Sequence, residues 1–268
     1  MPLTKPKTPR SLSGKRVAAI HALARSRPLD EPRTGRIRAL GTLCIDIGGT
    51  GIKMIVLDAR GRPVNERARM LTPHPARPAA VLEVIRRMLP AQPHFDRISV
   101  GFPGVVRDGV VYTAANLGTE YWRGHHLEHE LTEITRTPVR VINDADLQGY
   151  GVIDGRGVEL VLTLGTGLGS AIFLDGRLVP NLELGHHPFK KGKTYEERVG
   201  DAALKRIGKK EWTRRVLEEL AQVQATFNPH VIHLGGGNVS HLRGTMPKNV
   251  RTFTNVDGMT GGIRLWQA

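Results

Sequence analysis

Apolar and polar positions along the chain fall into two runs of the same order. Leu43–Ile47 and Ile52–Asp58 are apolar segments of strand length, joined by the turn Gly48-Gly49-Thr50-Gly51. Beyond Arg60-Gly61-Arg62-Pro63, Val64–Leu71 predicts a third strand. Residues 78–89 switch to helical spacing, with Val81, Val84, Ile85, Met88 and Leu89 on one face. Phe95–Phe102 returns to strand, and Val105–Tyr112 reads as a hairpin about Asp108-Gly109, a dipeptide that suits tight two-residue loops. Leu127, Leu131 and Ile134 mark a second helix, and Val139–Ile142 a strand that opens into Asn143-Asp144.

The second half repeats that order. Glu159–Leu164 and Ala171–Leu174 flank another glycine turn, Leu164-Gly165-Thr166-Gly167-Leu168-Gly169, and Asp175-Gly176 turns into Leu178-Val179. Helices are predicted around Tyr195–Ile207 and from Trp212 to Phe227; in the latter Val216, Leu220, Val223 and Phe227 lie three or four apart. Asn228-Pro229 ends it, because a residue before proline is pushed out of the helical region. His230–Leu234 is a short strand running into Gly235-Gly236-Gly237, and Gly258–Trp266 reads as a final short helix. A strand hairpin followed by alternating helix and strand, occurring twice, predicts an α/β protein with two lobes around a cleft, residues 41–145 and 146–268.

Composition narrows the class. The 268 residues, 40% hydrophobic, suffice for one large or two modest domains. No apolar run approaches the ~20 residues of a membrane span, and nothing resembles a secretory signal, so the cytoplasm is the expected location. The single cysteine, Cys44, allows neither an internal disulfide nor a cysteine zinc cluster; within Leu43-Cys44-Ile45 it reads as a small buried hydrophobe. The net charge of +14 is unevenly spread: residues 1–40 hold ten Lys/Arg against two acids. That Pro- and Arg-rich arm has too few large apolar groups to offset its ordering entropy, which predicts a disordered, solvated segment. A polyanion-gathering arm and an organelle transit peptide are the alternatives. The remaining body is still basic, as suits a polyphosphorylated substrate.

The two glycine turns carry the candidate chemistry. A dinucleotide-binding fingerprint needs a helix after the glycines, whereas Ala171-Ile172-Phe173-Leu174 is a β run. The P-loop pattern is absent. Each turn sets Thr beside Gly, so backbone N–H groups and a hydroxyl can line an anion nest. Two such nests facing one cleft, with Asn143-Asp144 at a strand end between them, point to phosphoryl transfer.

Asp46-Ile47-Gly48-Gly49-Thr50, Asn143-Asp144-Ala145-Asp146, Gly165-Thr166-Gly167-Leu168-Gly169 and Glu183-Leu184-Gly185-His186 together resemble, in order and spacing, the ROK sugar kinases over residues 41–268. Gly192-Lys193-Thr194-Tyr195-Glu196-Glu197-Arg198 is similar to the short polyphosphate/ATP glucokinases and glucomannokinases of that family. The resemblance implies an actin/hexokinase-like (ribonuclease H-like) duplicated two-lobed fold with a central cleft. Most of the family follows Glu-x-Gly-His with a cysteine cluster holding structural zinc; this chain has no cysteine there, so no structural zinc is expected. His186-His187 and His125, His126 and His129 lack thiolate partners, and the latter group reads as a solvated helix start.

The resemblance also assigns roles. Asp144 would be the general base that takes the sugar hydroxyl's proton, and as a residue between strand and helix it also reads as a helix N-cap. Asn116 and Asn143 would hold sugar hydroxyls, and Glu183 and His186 would grip those near the anomeric end. Gly48, Gly49, Thr50, Thr166 and Gly167 would bind phosphate. Lys53 would lie near the phosphate loop, although strand alternation alone points it equally well to solvent. Asp46 would orient Mg²⁺ through water, since that ion keeps much of its hydration shell. Gly235 and Gly236 would lie beneath an adenosine, or simply form a strand-to-helix turn. The basic run from Lys190 to Arg215 reads either as a polyphosphate track at the cleft mouth or as a solvated helix face.

The expectation is therefore a glucokinase that phosphorylates the 6-hydroxyl of glucose, with mannose as a second sugar and ATP with Mg²⁺, inorganic polyphosphate, or both as donor. Its partners would be the sugar and the polyanionic donor, without nucleic acid or membrane, and a homodimer is a family expectation only. A strictly ATP-dependent enzyme and a kinase for another hexose are the near rivals. A sugar-responsive repressor is the remote one, because a forty-residue Pro/Arg arm is too short and polar for a helix-turn-helix.

Overall fold

The computed structural model describes residues 40–267. The basic arm and its expected disorder lie outside the described residues. Thr42–Ile47 (β1) and Ile52–Leu57 (β2) form an antiparallel hairpin across the first glycine turn, with Ala68–Met70 (β3) antiparallel to β2 at the edge. Arg97–Phe102 (β4) and Val139–Asn143 (β7) join on the other side of β1, both parallel, so the sheet runs β3-β2-β1-β4-β7. The second sheet copies this plan. Val158–Leu164 (β8), Leu168–Leu174 (β9) and Arg177–Val179 (β10) are antiparallel neighbours, and Val231–Gly235 (β13) and Val250–Thr252 (β14) are parallel, in the order β10-β9-β8-β13-β14. Two sheets with the same order and the same switch from antiparallel to parallel are the duplicated architecture predicted from the pattern. The small hairpin Val106–Arg107 (β5) and Val110–Val111 (β6) turns at Asp108-Gly109, both at positive φ.

Helices fill the faces where apolar spacing allows. In Pro78–Met88 (α1), Val81, Leu82, Ile85 and Met88 are buried against the first sheet. Thr119–Trp122 (α2) buries Trp122, whose Nε1 donates to the Ala76 carbonyl at 2.8 Å. Leu127–Thr135 (α3) buries Leu127 and Leu131 in the same core. His126 is its N-cap residue and His125 sits edge-on to Trp122, so these histidines finish a helix start.

Asp144–Val152 (α4) is different, being apolar on more than one side. It packs with Ala145, Leu147 and Tyr150 among Val161, Ala171 and Phe173 of the second sheet, and its N-terminus abuts β4 of the first. Gly149 makes the approach feasible: a Cβ there would lie 2.4 Å from the Phe173 ring.

Several segments depart from the predicted pattern. The third strand is only Ala68–Met70, because Val64 and Asn65 already satisfy Val56: its C=O accepts from the Val64 N–H and its N–H donates to Asn65 Oδ1. The helix expected at Tyr195–Ile207 is instead Tyr195–Val199 (α5), closed at Gly200 and followed by Asp201–Phe227 (α6), kinked at Gly208 with φ +74°. Between β10 and β13 in the chain lies an additional two-stranded hairpin, Pro188–Lys190 (β11) and Lys193–Thr194 (β12).

The C-terminal segment returns to the first sheet. Asn255–Met259 (α7) and Gly261–Arg264 (α8) replace the expected single helix. Trp266 Nε1 donates to Ser99 Oγ (2.8 Å), which donates to the Gly262 carbonyl (2.7 Å). Cys44 is buried beneath that carbonyl's residue, and burial pushes its thiol up to about 12, as befits a packing residue. Among the described residues no helix is long and apolar enough to cross a membrane.

Candidate active site

A cavity of about 550 Å³ collects residues from both sheets and from the C-terminal segment. The β1–β2 turn forms one wall. Its Gly48 N–H closes on the Gly51 carbonyl at 3.0 Å, and Thr72 Oγ1 donates to the Gly48 carbonyl at 2.5 Å. The β8–β9 turn forms the facing wall, closed by Gly165 N–H to the Gly167 carbonyl at 3.0 Å. Among the described residues no acceptor engages the N–H groups of Gly49, Thr50, Thr166 or Gly167. Four residues with unengaged amide donors therefore line one cavity from two turns, the composition an anion nest requires. Glu196 is seated on the second turn, where Oε2 accepts the Leu168 N–H at 3.2 Å.

Between the turns stands the start of α4. Asn143, the last residue of β7, caps it: Oδ1 accepts the N–H groups of Ala145 (2.8 Å) and Asp146 (3.1 Å). The cap is thus Asn143, and Asp144 is the first residue of the helix rather than its N-cap. Asp144 Oδ1 accepts from its neighbour Ala145 N–H at 2.8 Å, and Gly101 of β4 lets the backbone come close, since a Cβ there would lie 3.2 Å from Asp144 Cα. Burial pushes the Asp144 carboxyl from 3.8 up to about 8, helped by the negative charges of Asp46, Glu183 and Asp146 and opposed by the Ala145 N–H.

A chain of polar contacts continues from Asn143. Its Nδ2 donates to the Gly104 carbonyl (3.2 Å) and lies 3.4 Å from Glu183 Oε1, while Glu183 Oε2 is 3.3 Å from His186 Nε2. Burial raises the Glu183 carboxyl and the nearby His186 opposes that. Asn116 lines the same cavity beside Gly49, 3.4 Å from where a Cβ of that glycine would be. Asn116, Asn143, Asp144, Glu183 and His186 are thus brought together as polar groups suited to a sugar.

Asp46 and Lys53 are paired across β1 and β2, with Lys53 Nζ 2.7 Å from Asp46 Oδ2. Lys53 therefore faces the cavity, not solvent. For Mg²⁺ the donor set is one carboxylate beside the phosphate nest, and among the described residues no cluster of three metal-ligating side chains forms. That fits an ion which takes one or two protein carboxylates and fills its shell with water and substrate phosphate.

Two sequence assignments move. Gly235 does not line the cavity: it packs under Phe253, whose ring lies 2.1 Å from where a Cβ would be. The loop's contribution comes from Gly236 (φ +92°), Gly237 and Asn238, whose Nδ2 donates to the Gly165 carbonyl at 3.0 Å. No lysine or arginine of the basic run from Lys190 to Arg215 lines the cavity. Part of the run is paired along α6, Arg214 with Glu211 and Glu218, Arg215 with Glu211, and Lys205 with Asp201. The reasoning from sequence passed over Arg67, Arg69, Gln148, Glu196, Asp201 and Asn238, all of which line the cavity. Of these only Glu196 carried a signal, lying in the Gly192–Arg198 motif.

Comparison with known proteins places the chain in a family. The model of the ROK family matches residues 42–200. A polyphosphate glucokinase of Mycobacterium leprae (strain TN) is 35% identical over 214 residues, covering 76% of this chain and 64% of the relative. The chain thus spans slightly less than two thirds of that relative's length. The structure of an inorganic polyphosphate/ATP-glucomannokinase from Arthrobacter sp. strain KM superposes with a TM-score of 0.75 at 33% identity, covering 85% of this chain and 100% of the other. A ROK family glucokinase from Streptomyces griseus, solved with glucose and AMPPNP, shares the fold at 21% identity and a TM-score of 0.73, with coverage of 85% and 100%. This chain belongs to the ROK family.

Proposed function

We propose that the chain is a hexokinase-type phosphotransferase, a glucokinase that moves a phosphoryl group from ATP or inorganic polyphosphate to the 6-hydroxyl of glucose, with mannose as a second acceptor. The observation that carries this reading is one cavity holding a carboxylate, Asp144, between two glycine-threonine turns and next to the sugar-suited group Asn143, Glu183 and His186. The relatives' names, which pair glucose or mannose phosphorylation with polyphosphate, support the same substrate class.

The chemistry follows from those groups. A sugar hydroxyl is a poor nucleophile until its proton has somewhere to go. Asp144 accepts that proton as the hydroxyl oxygen bonds to the donor's terminal phosphorus and the bridging P–O bond breaks, leaving a donor one phosphoryl group shorter. The N–H groups of Gly49, Thr50, Thr166 and Gly167 hold the phosphate oxygens without reorganising, which is where most catalysis of phosphoryl transfer resides. Asp46 would hold Mg²⁺ through water, and the bound ion would screen the phosphate charge. Lys53 balances Asp46 and keeps its charge from adding fully to that around Asp144. A proton acceptor with a pKa near the working pH is well matched to this task.

A cytoplasmic location and action without nucleic acid or membrane belong to the same reading; a homodimer carries only family precedent. Coupled assay of glucose 6-phosphate formation, with Mg²⁺-ATP and polyphosphate supplied separately, tests it. Turnover with either donor supports a glucokinase, turnover with ATP alone the strictly ATP-dependent rival, and turnover with neither ends the reading.

A further inference from the structure

Two arginines line the cavity without an ion-pair partner among the described residues or an assigned role. Arg69 lies within β3 and Arg67 immediately precedes it, and both line the cavity. Arg69 stands opposite Lys53 in the β2–β3 register, and all three cations line the cavity. Lys53 is taken by Asp46, whereas neither arginine enters an ion pair among the described residues. Arg69 lies across the first glycine turn: its Nη2 is 3.5 Å from the Thr50 carbonyl, and a Cβ on Gly51 would fall 2.7 Å from its Nε.

Like charges opposed across antiparallel strands are destabilising, and Asp46 neutralises Lys53 alone, so Arg69 and the neighbouring Arg67 call for an anion to offset them. Charged side chains on an edge strand also prevent unwanted sheet extension, but that purpose does not require them to face a cavity. The facing wall lacks such a surplus. Glu196 sits on the second turn there, and Asp201 beside it is paired with Lys205 at 2.6 Å. An anion longer than the nest can hold is therefore drawn along β3.

We propose that Arg67 and Arg69 form a subsite for the distal phosphates of a linear polyphosphate, continuing the first glycine turn and setting the preference for that donor over ATP. The assignment rests on the phosphotransferase reading above and adds the residues that discriminate between its donors. Two planar guanidiniums suit such a ligand, since each engages phosphate oxygens in a fork.

The test compares Arg67→Gln/Arg69→Gln with the unaltered protein. The ratio of kcat/KM for polyphosphate to that for ATP falls at least about tenfold, the scale of one lost charge-assisted contact. The salt dependence of polyphosphate binding flattens by roughly 0.7 per lost contact on a log–log scale. Lysine at both positions restores part of the ratio. Equal losses for both donors, or an unchanged ratio, overturn the subsite. A second measurement needs no substitution: tripolyphosphate and chains of tens of phosphates are titrated onto the unaltered protein. Affinity per chain end that rises with length supports the subsite, and length-independent affinity overturns it. Because this titration reads binding alone, a protein that binds long chains tightly yet phosphorylates glucose from neither donor would sink the activity while leaving the subsite standing.

Discussion

Lys53 Nζ lies 2.7 Å from Asp46 Oδ2, and the two residues stand directly opposite each other in the β1–β2 ladder. Asp46 in turn is close enough to Asp144 to help raise its carboxyl. In the proposed mechanism the lysine acts on Asp144 only through Asp46. Lys53→Met leaves Asp46 uncompensated, and its full charge then bears on Asp144. The acid limb of the kcat/KM profile moves to higher pH, and kcat/KM at neutral pH falls about tenfold or more, the scale of a lost charged partner. A pH–rate profile of the variant checks both; an unmoved limb means the pair does not act on Asp144.

The wild-type profile itself has a definite sign. Proton acceptance needs the ionised carboxylate, and the free protein's Asp144 titrates at about 8. Activity as kcat/KM rises with pH and levels off above about 8, in place of a plateau reached near 5. Glu183→Gln removes one of the negative charges that raise Asp144, so its limb shifts downward even though its glucose KM increases. A limb in the ordinary carboxylate range would contradict Asp144 as the base.

Asp144→Asn separates catalysis from stability. Turnover falls at least about 10²-fold, the low end for losing a general base, while glucose still binds in a calorimetric titration. Stability changes the other way. The folded-state carboxyl titrates at about 8 against 3.8 for the ordinary group, so between those values the native state holds a proton that the unfolded chain releases. The wild type therefore loses stability as pH rises through that window, and the asparagine variant escapes that loss. Melting temperatures of the pair, compared at pH 4, 6 and 8, diverge in favour of the variant as pH increases. A gap that narrows with pH would mean Asp144 is not held in a charge-disfavouring site.

Much of this arrangement was legible because backbone chemistry writes itself locally. The two hairpins needed only short apolar runs around Gly-Thr turns, and the repeat of strand and helix order implied the duplicated sheets. Features decided by competition between distant groups were hidden. Val64–Leu71 looks like one strand, yet the Asn65 side chain takes a backbone position in pairing with Val56 and shortens it to Ala68–Met70. The basic run at Lys190–Arg215 reads equally as a polyanion track or a solvated helix face, and helical spacing pairs Arg214 and Arg215 with Glu211 and Glu218. Arg67 and Arg69 carried no signal, because which face a short edge strand presents depends on its register with β2. Gly235 belonged to a recognisable glycine run, and only the position of Phe253 shows that it serves packing.

Asn143 performs two tasks with two ends of one side chain, and they can be pulled apart. Oδ1 caps α4 through the Ala145 and Asp146 N–H groups, while Nδ2 reaches toward Gly104 and Glu183. Serine caps helices about as well as asparagine but cannot supply the amide donor; alanine does neither. Asn143→Ala should cost ~0.5–2 kcal/mol in stability, roughly 1–8 °C in melting temperature for a domain of this size. Asn143→Ser should stay within about 2 °C of wild type, since its cap is preserved. Both variants should raise the glucose KM severalfold, because Glu183 loses its amide neighbour in each. Thermal melts set beside glucose KM values decide the matter: a serine variant with normal KM would remove Asn143 from sugar binding, and one as unstable as alanine would show that the cap is not what Oδ1 provides.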